Sequence, residues 1–424
     1  VNSPNYVRTL GGATPANLLA GSAAPGGGFS PESTMPNSWQ WNLAVEHSFA
    51  RETAFQIAYV GNSAIHQLNS YDINVPDPTK MVDCPLTLNG VTKVFNTSTW
   101  TCGAYGIGGS YNSLLRPFGN DGTLAYWDHS GHATYHALQT VFKTKYKRSQ
   151  LTAAYTWSHS IGNVALDDSS GGLGGSTYLY YGNRGLDRGN TPINRPHIFV
   201  ANGTYFFPEL KGSSGFMRNV LGGWELSGIT QATSGHSVNV QNNVTEDVTR
   251  IAGGHTYGAG SIYGLTQGTF TPLMSGSACN AGMKGDLIIN PNAFTLIGQQ
   301  LGVVNDARAP RGYCLGPRYV NTDLSIDKNW KLTERFGMQF RLDLFDLFNH
   351  PNFNAGALNL GPGGNQPVNN VNCGPAVNGV YQPCSPANNT ITRETLNSGS
   401  TFGNSTGTIG NHGRELQYGL RITF

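Results

Sequence analysis

Long hydrophobic runs are missing from this chain of 424 residues. No stretch approaches the roughly 18 consecutive apolar residues that a membrane-crossing helix needs, which argues against a helical membrane protein. Charge is scarce: Asp, Glu, Lys and Arg make up 12% of the chain, against roughly 25% in typical domains. The net charge of +2 gives no footing for nucleic acid as a partner. CxxC-like spacing is absent, so the six cysteines do not read as a metal cluster. There is no GxSxG, and the run from Gly171 to Gly175 lacks the Lys-Ser/Thr of a phosphate loop. The chain opens at Val1 with no initiator Met, basic n-region or apolar h-region, so no export signal is legible. A mature chain and an internal fragment both read this way.

What is present is glycine, 56 residues, with 22 prolines and many Asn, Ser and Thr, which points to many turns and long polar loops. Hydrophobic residues reach 38% at a mean hydropathy of −0.29. Low charge without high hydropathy suits apolar residues placed at every second position. The end of the chain shows this most clearly. Leu416, Tyr418, Leu420, Ile422 and Phe424 alternate with Gln417, Gly419, Arg421 and Thr423, giving a strand with one oily and one wet side. Eight earlier segments alternate in the same way: 39–49, 55–59, 138–146, 151–158, 199–207, 224–231, 320–330 and 336–344.

The connections alternate in length. Short turns at Ala50–Glu52, Lys147–Ser149, Pro208–Leu221 and Leu332–Arg335 face long stretches at 62–132, 161–196, 235–318 and 349–412. Phe49, Tyr146, Phe207, Trp224, Trp330, Phe336 and Phe424 gather at the short-turn ends of strands, and Tyr59, Trp157, Phe199 and Phe348 at the long-loop ends. Short turns on one side, long loops on the other and two aromatic girdles are the outer-membrane pattern. A β-sandwich also alternates and favours aromatics, but it explains neither the loop asymmetry nor the polar second face. The sequence therefore predicts an all-β fold: an antiparallel transmembrane β-barrel over 38–424, with long extracellular loops, after an extracellular loop at 1–37. With short turns in the periplasm, the first and last of these strands point the same way and cannot pair antiparallel. The expectation is an incomplete barrel with strands upstream of Val1.

The cysteines fall in pairs within the long loops: Cys84 with Cys102, Cys279 with Cys314, and Cys373 with Cys384. Nearest-neighbour pairing places one disulfide in each loop, which requires an oxidising compartment; free thiols are the alternative. On the polar faces, Glu46, Lys143, Lys145, Arg341, Asp343 and Arg421 are expected to line the lumen, as solvated or paired wall residues or as contacts for a passing ligand. Arg341 and Asp343, two apart on one face, are placed to neutralise each other. Asp128, His129, His132 and His136 are the best metal candidates, but no Glu accompanies them and the stretch reads as a polar junction at the start of a strand. Asp167 and Asp168 lack the alternating carboxylates of a calcium loop. Ser158, His159 and Ser160 are adjacent on a strand, so they point to opposite faces and form no dyad by themselves. No catalytic residue, cofactor or metal is assigned.

Several segments resemble the TonB-dependent receptors of the outer membrane, in particular the Oar-like group abundant in Acidobacteria. They are 38–46 (SWQWNLAVE), 58–62 (AYVGN), 135–139 (YHALQ), 155–160 (YTWSHS), 223–229 (GWELSGI), 343–353 (DLFDLFNHPNF) and 413–420 (GRELQYGL). The resemblance covers nearly every strand, and the loops are not specific. It implies a barrel of about 22 strands, of which this chain supplies the C-terminal nine, with a plug and a TonB box upstream. It implies uptake of a bulky nutrient such as a chelated metal, glycan or peptide, through displacement of a plug by the TonB complex. Tyr418, Leu420, Ile422 and Phe424 would then form the signal read by the barrel-assembly machinery. Two other readings stay open: a non-transporting outer-membrane adhesin, and a secreted soluble all-β binding protein.

Overall fold

A computed structural model of the chain describes residues 28–31, 34–50, 52–72, 86–88, 91–93, 95–96, 101–102, 125–163, 185, 188–210, 212, 214–238, 240, 273–280 and 285–295. It further describes 297–298, 309–331, 333, 335–355, 358, 368–373, 376–378, 390–396, 400–409 and 413–424. Nine strands carry the architecture: β1 Asn37–Ala50, β2 Thr53–Asp72, β3 Ala125–Tyr146, β4 Ser149–Gly162 and β5 His197–Phe206, then β6 Trp224–Thr233, β7 Tyr319–Lys331, β8 Gly337–Phe345 and β9 Glu415–Thr423. They hydrogen-bond in sequence order, each antiparallel to the next. Among the described residues β1 and β9 each have one long neighbour, so the sheet is open.

Register turns the alternation of single strands into two continuous faces. Directly opposed residues of antiparallel strands share a face. One face carries the row Leu43, Tyr59, Leu138, Trp157 across four strands. It continues with Leu226, Ile326, Leu342, Tyr418 across the last four. The other face carries Ser227, Ser325, Asp343, Gln417 and, next to it, Glu225, Asp327, Arg341, Gly419. A slip of one residue anywhere would exchange the faces. The apolar face stays uncovered: Leu43 is 70% exposed, Trp157 57% and Leu420 63%. An apolar surface of this extent marks a face made for lipid or for a protein partner.

Where two aromatic-rich strands approach, glycine makes room. The indole of Trp41 lies over Gly61, where an added Cβ would fall within the ring. Gly61 sits opposite Trp41 in the register, so the pair fills one hole in the apolar face.

The structure departs from the sequence reading in four places. Strand pairing runs past the membrane-spanning pattern: β2 has 20 residues and β3 has 22, whereas roughly 9–11 suffice to cross a bilayer. The stretch 62–132 is therefore partly hairpin, because once above the lipid a strand is no longer obliged to alternate. For the same reason the Asp128–His132 segment lies well inside β3 rather than ahead of it. Within 1–37, Gly28–Phe29 runs parallel to Tyr126–Trp127, with Phe29 stacked on Trp127 at 5.2 Å between ring centres.

The third departure is a helix in the longest short turn, α1 Gly215–Leu221, capped by the Ser214 hydroxyl accepting from Met217 N. The fourth is a hydrophobic core inside stretches read as polar loops. Val238, Val240, Ile288, Ile289, Ala293, Phe294, Leu358 and Phe402 bury one another together with Cys279 and Cys314. A single β-bridge from Leu287 to Asn404 ties the stretch 235–318 to 349–412, and Phe353 and Leu358 bridge to Thr408 and Ser405 within the latter. Short apolar pairs scattered over many residues leave no period to detect, which is why alternation missed them.

Candidate functional site: the lumen wall and its mouth

The structure places Glu46, Lys143, Lys145, Arg341, Asp343 and Arg421 on the polar face. Glu46 opposes Gln56, Lys143 opposes Ala54 and Thr152, and Lys145 opposes Gln150. These three sit among β1 to β4, whereas Arg341, Asp343 and Arg421 cluster on β8 and β9. Of these, Arg341 and Asp343 are brought into contact, while Arg421 stands opposite Gln339. Arg341 Nε donates to both oxygens of Asp343, at 2.9 and 2.8 Å. Asp327 stands directly across from Arg341, and its carboxylate accepts from Ser325 Oγ at 2.9 Å.

Two cavities descend along this wall. The upper one, about 690 Å³, opens at the long-loop rim and is lined by Tyr319, Asp323, Phe345, Asp346 and Glu415, among others. The lower one, about 400 Å³, is lined by Thr204, Ser227, Ser325, Arg341 and Asp343. They share Asp323 and Phe345. The mouth thus offers three carboxylates and an aromatic edge, and the wall below offers hydroxyls and an ion pair.

The rim is held by the segment 346–353. Asp346 and Asn349 adopt left-handed backbone at φ 48° and 51°, a conformation that Asp and Asn tolerate better than other side chains. The Asp346 carboxylate accepts from His350 N at 3.1 Å, while Asp346 N donates to Asp323 at 3.0 Å. Asn352 acts as a short extra strand: its amide donates to Val320 O at 2.9 Å and accepts from Val320 N at 2.8 Å. Asn349 accepts from Arg414 N at 3.0 Å, which ties the rim to the approach of β9. The polar residues of this segment thus set backbone geometry.

On the loops above, Cys279 and Cys314 form a disulfide that closes 35 residues. Asn280 beside it donates to Ile288 O and Leu315 O and accepts from Leu315 N, so one side chain pins three backbone groups. Cys84 and Cys384 lie outside the described residues; of Cys102 and Cys373 only the backbone is described. Tyr418, Leu420 and Ile422 project from the apolar face of β9, and Phe424 is 92% exposed.

The other chemical candidates resolve into local bonding. Asp128 accepts from the backbone and hydroxyl of Ser130. His136 Nδ1 pairs with the Tyr59 hydroxyl at 2.7 Å on the apolar face. Among the described residues no group of His, Cys, Asp and Glu is arranged to hold a metal ion. His159 bonds Asn190, Ser158 donates to Arg195 O, and Ser160 accepts from Thr191. The two serines therefore face away from the histidine. Asp167 and Asp168 lie outside the described residues.

The apolar face hides a feature that the alternation passed over. Lys328 falls in the oily row of β7, opposite Trp224 and Phe340, and is 1% exposed. Its ammonium donates to Val220 O at 3.1 Å and to Gly222 O. It also sits over the rings of Trp224 and Trp330, 4.9 and 5.4 Å from their centres. The indole N–H groups of Trp224 and Trp330 reach Val220 O and Asn219 O at 2.9 and 2.8 Å. The end of α1 thus gathers three donors on the carbonyls that a helix leaves unpaired. A lysine embedded in an aromatic girdle was the signal available in the sequence.

His236, at the long-loop end of β6, has its pKa lowered by burial and by the neighbouring charge of Arg195. A histidine held neutral in the fold binds its proton more readily once unfolded. Stability is therefore complete above the ordinary value of 6.5 and is lost as pH falls below it. Protease nicking of the loop over 235–318 should rise between pH 7.5 and 5, and His236→Gln should flatten that dependence. An unchanged profile in the variant would place the acid sensitivity elsewhere.

An open antiparallel sheet with one lipid-ready face, one polar face and long loops at one rim defines a membrane β-barrel protein. The model of the outer membrane beta barrel domain matches residues 2–417. The chain belongs to that family, and its place is the outer membrane. No curated protein matches it significantly. Among solved structures it is similar to the outer membrane transporter YddB from Escherichia coli, at 8% identity and a TM-score of 0.35. That similarity covers 77% of this chain and 31% of the other, so the chain spans less than a third of that protein's length.

Proposed function

We infer that the chain is the C-terminal barrel portion of a TonB-dependent, Oar-like receptor that takes up a bulky nutrient. The observation that carries this reading is the pair of polar cavities joined at Asp323 and Phe345, running from the rim down the wet face. A wall of hydroxyls, amides and paired charges suits a hydrogen-bonding cargo such as a glycan, a peptide or a chelated metal. The chain performs no chemistry on that cargo. Strand β9, with Tyr418, Leu420, Ile422 and Phe424, serves the assembly machinery, and coupling to TonB belongs to other parts of the receptor.

The test is uptake by the source bacterium, with and without the full gene, of labelled ferric chelates, oligosaccharides and peptides. Loss of one class of uptake, abolished equally by an uncoupler of the inner-membrane proton gradient, supports the receptor. Undiminished uptake of every class overturns it. A non-transporting adhesin is the competing reading, favoured by the buried core and disulfide of the loops, which stiffen a surface for display. It expects unchanged uptake and lost attachment.

A further inference from the structure

A third cavity, of about 650 Å³, adjoins the polar mouth at His350 and Pro351 and opens over the lipid-facing side of the sheet. Its floor is Phe199, Ala232 and Val320, one row of the lipid-facing surface across β5, β6 and β7. Its roof comes from Ile288 of the loop core, Phe353 packed against that core, and Leu315 beside Cys314. The polar groups at its edge are Arg318, His197 and His350, with Asn280 and small residues besides. No carboxylate lines it among the described residues, whereas the adjoining mouth carries Asp323, Asp346 and Glu415. His350 Nδ1 is buried without a hydrogen-bond partner among the described residues. The side chain of Arg318 is exposed and makes no ion pair with them.

The geometry points to a binding site for a phosphorylated acyl glycolipid of the outer leaflet. Three features select that occupant. The floor is continuous with the surface that the bilayer itself covers, so acyl chains reach it without leaving lipid. The long-loop rim lies at the extracellular interface, which is the headgroup level of the outer leaflet. The cationic edge meets a phosphate, with Arg318 able to engage it bidentately and His350 Nδ1 left to take part. His197 has Nδ1 committed to the Tyr155 hydroxyl at 2.8 Å, which leaves Nε2 for the ligand. The volume falls within the range of roughly 300–1,000 Å³ usual for small-molecule sites, enough for a phosphosugar and the first part of its chains. This inference is independent of nutrient uptake and stands or falls separately from it.

The experiment is native mass spectrometry of the full-length protein that contains this chain, folded in detergent and titrated with bis-phosphorylated lipid A. Dephosphorylated lipid A and inorganic phosphate serve as separate arms. Retention of lipid A at one copy per chain is expected. Arg318→Ala combined with His350→Phe should lower it about tenfold, while Arg335→Ala on the far rim leaves it unchanged. Arg318→Lys should retain part of the binding, which separates charge from folding damage, and heat-modified migration checks that each variant is folded. Equal retention of the dephosphorylated lipid, equal retention by the double variant, or binding of phosphate alone would each overturn the assignment.

Discussion

Leu324→Arg is expected to cost the folded barrel about 2–4 kcal/mol, the penalty for a cation near the middle of a lipid-facing strand. Leu324 sits between Gly228 and Leu344 in the register, midway along β7 and on the oily face. Ser325→Arg, one residue on, is expected to stay within about 1 kcal/mol of the parent, as surface changes usually do. Ser325 faces the wet wall, beside Asp327 and directly across from Asp343. The measurement is urea unfolding of both variants in vesicles of one lipid composition. Equal losses would mean that the two faces do not differ in solvent, and the assignment of lipid and lumen sides would fall with them.

The second large effect concerns Lys328. Lys328→Ala removes two hydrogen bonds made by a charged donor, each worth about 1.5–3 kcal/mol when buried. It also removes a cation from between two indoles, a contact worth about 0.5–2 kcal/mol. These contributions share one side chain and do not add, so a total loss of about 3 kcal/mol is expected. Val220 O retains its bond from Trp224, whereas Gly222 O loses the lysine donor. The signature should therefore be local as well as global. Tryptophan fluorescence should report a loosened girdle, and α1 should become cleavable while the strands remain protected. Trp330→Phe, which removes the bond to Asn219 O and weakens the ring contact with Lys328, should show the same signature at a fraction of the size. If Lys328→Ala unfolds like the parent, the clasp is ornamental.

The barrel strands were legible because their chemistry is periodic. Trp39, Trp41, Leu43 and Val45 alternate with polar neighbours over the whole of β1, and the same rhythm returns at Phe336–Leu344 and Leu416–Phe424. Each strand must satisfy two solvents at once, and the constraint is written at every position. Lys328 escaped notice because it breaks that rhythm while obeying a different one: it lies directly across from Trp224 and two residues from Trp330 on the same face, and its partners are carbonyls at the end of a helix. Carbonyls carry no side-chain signature. The loop core escaped for a related reason. Ile288, Phe294, Cys314 and Phe402 meet only after more than a hundred residues of chain have folded back, so no local window contains them. The rim cavities combine both difficulties. Asp323 and Asp346 are visible as carboxylates, but their convergence depends on the left-handed backbone at Asp346 and Asn349. Proximity of that kind is settled by turns whose residues, taken singly, look ordinary.

The two-faced register also governs how this protein tolerates change in length. Because the side-chain period is two, every strand behaves like a reading frame. Deleting one residue inside β7 would put the residues on the two sides of the cut out of phase, so that on one side apolar positions turn toward water and polar ones toward lipid. The same deletion in the stretch between β6 and β7 leaves both frames intact, since the loop absorbs the offset before pairing resumes. Natural variation in this chain should accordingly be partitioned by position: substitutions in the strands, insertions and deletions in the loops. The strands then serve as a fixed grammar, and the loops are where the surface of the cell can be rewritten.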